Sequence, residues 1–509
     1  MGLFVYPPGM RKLADLITEL KPHQQRVVER MRTQPGLVVA HGMGSGKTLT
    51  AIATAEDQGG RNEVLVPASL QTNFKKELAK HIEGTPKADY HVDSIQRAAL
   101  KQNIPPSKLL TVDEAHRLRD PNSEGRKAVR KAKAEKRLLL TGTPTYNRPY
   151  DLASLVNVAA GENVFPAVQQ EFDKRYIRER KVDPGWFART FRGVRPGSVT
   201  ELQNQEELGK HLGRWVDFHE NTNEGFPARE DQTVQVQMHP KQRELYESVM
   251  GQAPAWVRYK VRKGLPPSKQ ESKDLNAFAS AVRQISNSPG GFQEGLTPDD
   301  AAALSPKIQK AYERLSQNLK TNPQHRALVY SNFLDAGIHP YESLLKRDGV
   351  AYGKFTGDMP KSERDRMIAD YNEGRLKALL LSSAGGEGLD LKGTRQIQVL
   401  EPHWNREKLE QVIARGIRYK SHEHLPEDQR RVAVEHYQSI HPEPGMIRKF
   451  FGAKRPGAID EYLTQMSKDK DLLNSQVRDL LRQHAQGSKK KTAGLVELVA
   501  RHEARLNQR

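Results

Sequence analysis

GLVVAHGMGSGKTLTAIATAEDQ, residues 36–58, opens as an unbroken apolar run, passes through Gly42, Gly44 and Gly46, and continues as a row of helix-compatible residues. A short apolar run ending in closely spaced glycines reads as a buried strand entering a tight turn, and KTLTAIATAEDQ (47–58) as the helix that leaves it. The same rhythm recurs downstream. EVLVPAS (63–69), KLLTVDEAH (108–116) and KRLLLTGTP (136–144) are each Leu- or Val-rich runs that end in small or charged residues. Strands alternating with helical stretches specify a parallel sheet with crossover helices, in which ligands bind at the carboxyl ends of the strands. The polar residues that close these runs fall at those ends.

From about residue 165 to 300 the strand signal fades into polar, helical sequence broken at KGLPPSK (263–269) and PGGF (289–292). It returns in RALVYSN (326–332), KALLLSSAGGEG (377–388) and RQIQVLEP (395–402). The fold expected is α/β: two parallel-sheet lobes, a helical insertion between them and a helical C-terminal stretch. The boundaries read from the sequence are 1–165 for the first lobe and 166–305 for the helical protrusion and linker. The second lobe follows at 306–456, and the bracing helix with a basic tail at 457–509.

Composition narrows the chemistry. The 509 residues contain no cysteine, which removes disulfides, thiolate catalysis and Cys-ligated zinc from consideration. No apolar run reaches 18 residues, so no membrane-spanning helix is expected, and the chain is assigned to the cytoplasm, or to the nucleus of a eukaryotic source. A formal charge of +19 favours a polyanionic partner, since duplex DNA carries about one negative charge per 1.7 Å of axis.

The residues that carry chemistry sit at the strand ends. In His41-Gly42-Met43-Gly44-Ser45-Gly46-Lys47-Thr48 the glycines let backbone amides turn toward a phosphate chain at a helix N-terminus. Lys47 supplies the counter-charge and the Thr48 hydroxyl a ligand for Mg²⁺. The strict pattern has Gly where this chain has His41. Asp113-Glu114-Ala115-His116 closes another strand, with Asp113 placed for the Mg²⁺ shell and Glu114 for the attacking water. ATP and Mg²⁺ are therefore the expected cofactors.

These motifs resemble the Swi/Snf-like family of helicase superfamily two, whose viral and bacterial members are compact motor cores; the resemblance implies that the two lobes are RecA-like and that the C-terminal helix braces them. LKPHQ (20–24) is similar to the family's entry motif, which implies that Gln24 reads the adenine edge. DEAHRLRDPNSEGRKAV (113–129) and LLLTGTPTYNRPYDLASLVN (138–157) are similar to its second and third motifs. The resemblance implies that His116, Thr141, Gly142 and Thr143 couple nucleotide state to the nucleic-acid path, and that Ser69 at the end of EVLVPAS touches DNA. VRQISNSP (282–289) is similar to a segment between the lobes, with Ser286 where a cysteine is usual. Ser382 to Leu391 resembles motif five, placing Gly385 and Gly386 against a phosphate backbone and Asp390 toward the nucleotide. Gln411-Val412-Ile413-Ala414-Arg415-Gly416-Ile417-Arg418 resembles motif six. Arg415 and Arg418, three apart, are expected on one helical face with both guanidinium groups toward the γ-phosphate, and Gln411 in coupling.

The resulting expectation is an ATP-dependent motor that translocates on double-stranded DNA. A strand-separating helicase on DNA or RNA is the alternative, and an ATPase-inactive nucleic-acid scaffold the reading from another class. The presence of Lys47, Asp113, Glu114, Arg415 and Arg418 argues against the scaffold. Trp186, Phe187 and Phe191 among arginines mix aromatics with charge as a nucleic-acid surface does, or pack as ordinary core. Trp404 and Asn405 match a family segment beside the cleft, and Lys489-Lys490-Lys491 reads as a solvated basic tail.

Overall fold

Two six-stranded sheets, every strand parallel to its neighbours, organise the chain. The computed structural model describes residues 16–484 apart from 43, 143–147, 193, 221–224, 269–270, 356–358, 383–388, 404–405, 451 and 453. The chain divides into two units. The first takes residues up to Arg178, Leu202–Thr222 and residues from Leu473 on; the second takes Glu179–Glu201 and Asn223–Leu472.

The first unit's strands are β1 (Gly36–His41), β2 (Gly60–Val66), β3 (Ala88–Ser94), β4 (Ser107–Val112) and β5 (Ala134–Thr141). A ribbon of β6 (Ile177–Val182) and β7 (Gly197–Leu202) follows, and then β8 (Val216–His219), which belongs to the first sheet. The sheet order is β3-β2-β4-β5-β1-β8. Apolar runs form the middle strands because helices cover both faces; all six residues of β1 are buried. The order matters for function. β5 lies between β4 and β1, so the ends of the DEAH strand, the Thr-Gly-Thr strand and the glycine-loop strand stand side by side.

The second unit carries β9 (Ala228–Gln237), β10 (Ala327–Tyr330), β11 (Tyr352–Phe355), β12 (Ala378–Leu381), β13 (Gln396–Val399) and β14 (Arg431–Ile440), ordered β11-β12-β10-β13-β14-β9. Helices Pro240–Gln252, Ala255–Lys263 and Glu271–Asn287 pack on one another through Tyr246, Val257, Val261, Leu275 and Ile285. Ile459, Tyr462 and Leu463 of the long helix Ile459–His484 complete that core. VRQISNSP ends the helix Glu271–Asn287 deep in this unit. Ser286 is fully buried, and its carbonyl accepts from Gln242 and Ser439.

The span read as a helical insertion, 166–305, also holds four strands, the ribbon β6–β7 and one strand of each large sheet, β8 and β9, and this corrects the sequence reading. VDFH is too short for a pattern to show, and AREDQTVQVQ alternates polar residues because β9 is an edge strand with a mostly exposed face. A further strand lies between His422 and Gly457, inside the span assigned to the second lobe. RVAVEHYQSI forms β14, paired on one side with β13 and on the other over ten positions with β9. The unit boundaries accordingly differ from 165/166 and 305/306.

One buried ion pair secures the start of the long helix. Lys307 Nζ lies 2.7 Å from Asp460 Oδ2, the side chains 1% and 0% exposed, and the same oxygen accepts from Ser439 N at 2.8 Å. Asp460→Ala leaves the Lys307 ammonium buried and unpaired, and is expected to lower unfolding free energy by about 3–5 kcal/mol in a urea titration. The double change Lys307→Met with Asp460→Ala should recover most of that loss.

Candidate active site

At the end of β1 the backbone turns through the left-handed region at Gly44 (φ 77°) and Gly46 (φ 78°), and the helix Lys47–Gln58 begins. Only glycine adopts these angles without strain. At Gly46 a side chain has no room either, since a Cβ would stand 2.5 Å from Gln24 Nε2. Lys47 Nζ donates to the carbonyls of His41 and Gly42, both at 3.1 Å, so the ammonium is folded back over its own loop. The buried Ser45 hydroxyl has no hydrogen-bond partner among the described residues, as a loop shaped for an oxyanion leaves it.

Gln24 packs against this loop. Its side-chain amide donates to the Gly46 carbonyl at 3.2 Å while its oxygen accepts from Lys21 N at 2.8 Å, and the residue is buried. Next to it lies a cluster the sequence reading missed. His23 Nε2 donates to the Ser45 carbonyl at 3.0 Å, and its ring stacks on His219 with centroids 3.8 Å apart and planes 6° from parallel. The His41 ring stands edge-on to both, at 5.2 Å and 5.6 Å. His41 Nε2 donates to Asp217 Oδ1 at 2.7 Å, and Arg26 grips the same carboxylate with two bonds of 2.8 and 2.7 Å. Arg30 adds a third donor group at 3.2 Å. Gly42 N donates to the His219 carbonyl, tying the loop directly to β8. The imidazoles pack on one another and hydrogen-bond to the Ser45 carbonyl and Asp217.

This cluster explains His41. A side chain is tolerated where the strict motif has glycine because the imidazole points away from the loop, into a fully buried contact with Asp217. Burial works against the Asp217 charge, but the bonds from Arg26 and His41 prevail and hold the carboxyl down at about 2. Burial first, then His23, His41 and Arg26, push His219 down to about 4.

At the end of β4, Asp113 and Glu114 are half-buried neighbours. Glu114 adopts a left-handed φ of 50°, uncommon for a side-chain-bearing residue, and its N–H donates to Asp113 Oδ1 at 2.9 Å. Burial and the adjacent Glu114 push Asp113 up to about 6. Burial works against the Glu114 charge as well, yet the His116 hydrogen bond, with Nδ1 and Oε2 3.1 Å apart, outweighs it and keeps that carboxyl below its usual range. Thr141 is buried at the end of β5, directly paired with Ala40 of β1, and Gly142 follows half-buried. Ser69 is exposed on the turn Ala68–Leu70 after β2. Thr48 is half-buried in the first turn of the helix Lys47–Gln58.

In the second unit, Arg418 Nη1 lies 3.5 Å from Asp390 Oδ1, the Arg418 side chain half-buried and Asp390 exposed. Gln411 and Arg415 are half-buried on the helix Arg406–Gly416. The shared helical face expected for Arg415 and Arg418 is not formed, because the helix stops at Gly416. That glycine is wedged against Thr394 and Ile397, where a Cβ would meet Thr394 Cγ2 at 3.0 Å. Arg418 lies beyond the helix, its N–H donating to Ser421 Oγ. Met43, Thr143, Gly385, Gly386, Trp404, Asn405 and Lys489-Lys490-Lys491 lie outside the described residues.

Known proteins match this arrangement. The model of the SNF2-related domain matches residues 89–291, and that of the helicase conserved C-terminal domain residues 310–420. A protein of Acanthamoeba polyphaga mimivirus bearing the name ATP-dependent RNA helicase is 30% identical, covering 89% of this chain and 94% of that protein. A termination factor NPH-I homolog of African swine fever virus is 26% identical over 88% of this chain and 76% of its own. Among solved structures, the Sulfolobus solfataricus SWI2/SNF2 ATPase core in complex with dsDNA matches at 18% identity and a TM-score of 0.36, covering 92% of this chain and 97% of that one. The chain belongs to the SNF2-like family of helicase superfamily two. It is a helicase-like ATPase whose partner is nucleic acid. No helix among the described residues is long and apolar enough to cross a membrane.

The histidine cluster makes the first unit acid-sensitive. An unfolded His219 takes up a proton near pH 6.5, which the folded unit refuses down to about 4, so stability falls as pH drops through that window. Protonation of Asp217 subtracts more between roughly pH 4 and 2. Calorimetric melting of the chain from pH 7 to 4 should show a falling transition that His219→Asn flattens; a wild-type transition independent of pH in this range contradicts the assignment.

Proposed function

We propose that the protein hydrolyses ATP to translocate on double-stranded DNA and so remodels DNA or protein–DNA complexes. The observation that carries this reading is the placement of β5 between β4 and β1. It sets Thr141-Gly142 between the carboxylates that handle metal and water and the loop that holds phosphate. A shift of the nucleotide is thereby felt at the strand end that leads to the nucleic-acid path.

In this reading the amides of Gly44, Ser45 and Gly46 cradle the phosphates, and Lys47 leaves its own carbonyls to neutralise them. Gln24 serves the adenine, at the cost of its bond to Gly46. Mg²⁺ fits the donor set: the Thr48 hydroxyl and Asp113, whose crowding beside Glu114 a divalent cation relieves. When bound it neutralises charge on the β- and γ-phosphates. Glu114 orients and deprotonates the attacking water, held in its charged form by His116. Asp390, Arg415 and Arg418 serve the nucleotide, His116, Thr141, Gly142, Thr143 and Gln411 the coupling, and Ser69, Gly385 and Gly386 the DNA backbone.

Glu114→Gln should leave ATP affinity within a few-fold of wild type and slow turnover by about 10²–10⁴-fold, measured by nucleotide binding and steady-state hydrolysis. Lys47→Ala should abolish hydrolysis without unfolding the protein. Equal losses of binding and rate in Glu114→Gln would make that residue a structural one.

Duplex DNA should stimulate hydrolysis more strongly than single-stranded DNA or RNA. The +19 charge and membership of the SNF2-like family favour this outcome. Binding should weaken with salt at a log–log slope of about −0.9 per phosphate neutralised. The mimivirus relative bears an RNA helicase name, and stimulation by RNA alone would move the proposal to that substrate.

A further inference from the structure

The short helix Trp186–Arg192 in the second unit is built inside out. Its small residue Ala188 is buried at 2% exposure, whereas Trp186, Phe187 and Phe191 stand 68%, 54% and 66% exposed. The three rings gather into one outward cluster, Phe187 to Phe191 at 5.0 Å, Trp186 to Phe191 at 5.9 Å and Trp186 to Phe187 at 6.1 Å. The backbone beneath is anchored. Tyr259 Oη donates to the Pro184 carbonyl at 3.3 Å, Ser198 N to the Pro267 carbonyl at 3.3 Å, and Val194 N to the Ala188 carbonyl at 3.1 Å, with Val194 itself buried. Gly197 lies so close to Pro266 that a Cβ would stand 2.2 Å from its carbonyl oxygen. A firmly seated helix that buries alanine and shows three aromatics to water has a surface to offer.

The charge around the rings says to what. Residues 179–195 hold Arg180, Lys181, Arg189, Arg192 and Arg195 against Glu179 and Asp183. Of these, Lys181, Arg189 and Arg195 are exposed, although Arg189 shares its charge with Asp183 at 3.3 Å. Aromatic faces flanked by cations match a strand of nucleic acid whose bases are unstacked: rings take the bases, cations the phosphates. A paired duplex keeps its base faces inside the helix and offers such rings nothing but backbone. We infer that Trp186, Phe187 and Phe191 form a stacking platform for unpaired nucleotides, a binding site additional to the duplex path proposed above and independent of it.

The test uses the full-length protein and fluorescence anisotropy of labelled oligo(dT), oligo(U) and an abasic deoxyribose-phosphate strand of equal length. Wild type should bind the base-bearing strands at least about tenfold more tightly than the abasic one. The W186A/F187A/F191A variant should lose that advantage while its abasic binding and duplex-stimulated hydrolysis stay within about twofold of wild type. The dT and U arms show whether the sugar matters. The conservative W186F variant keeps a ring, so it should retain affinity and lose only the quenching of tryptophan emission by oligo(dT); this readout stands if the triple variant fails to fold. Equal affinity of wild type for abasic and base-bearing strands overturns the inference. So does unchanged oligonucleotide binding in the triple variant coupled to loss of a self-association seen by sedimentation, which would make the patch a protein contact.

Discussion

A single buried carboxylate holds the phosphate loop in register. Asp217 accepts from Arg26, Arg30 and His41, three residues on two segments that the chain reaches almost two hundred positions earlier. Without it the fully buried His41 imidazole would lose its acceptor and two partly buried guanidinium groups their counter-charge, and leaving a buried polar group unpaired costs more than the pair gains by itself. With it, the entry helix Pro22–Thr33, the loop strand β1 and the last strand β8 form one rigid block. The loop can then hold Gly44 and Gly46 in left-handed geometry, since both flanks are fixed.

From that block the chemistry follows by adjacency. Parallel strands deliver their carboxyl ends to one edge of the sheet, and the order β4-β5-β1 decides which ends are neighbours. Asp113 and Glu114 show how close spacing separates two like groups. The first is pushed toward its neutral form by burial and its neighbour, while the second is kept charged by His116. Two carboxyls with diverging proton affinities suit two roles, one that yields its proton to a metal and one that stays ready to accept a proton.

The motifs were legible because their chemistry demands rare residue combinations at fixed strand ends, and the alternation of apolar runs gave the first sheet's middle strands. What supports the site was not legible. Asp217 sits in a four-residue strand with no pattern of its own, and its partners lie far away in sequence, so nothing local marked VDFH as part of the sheet. β14 escaped for a related reason: RVAVEHYQSI mixes charge into a strand that is paired on both sides yet contacts polar neighbours such as Gln396 and Gln398 through Glu435. The motif-six arginines show the opposite error. Spacing alone put Arg418 on a helix that the packing of Gly416 against Thr394 brings to an end.

The pairing of β9 with β14 has a consequence during synthesis. Ala228 aligns with Arg431, so β9 leaves the ribosome some two hundred residues before the strand it pairs with. At about 5–20 residues per second the strand waits on the order of tens of seconds with its backbone groups bonded to water rather than to a neighbouring strand. A hydrophobic strand in that position invites pairing with another nascent chain. AREDQTVQVQ instead carries charges and glutamines along its length. The polarity that conceals this strand from pattern reading is what lets it remain alone in the cell until its partner arrives.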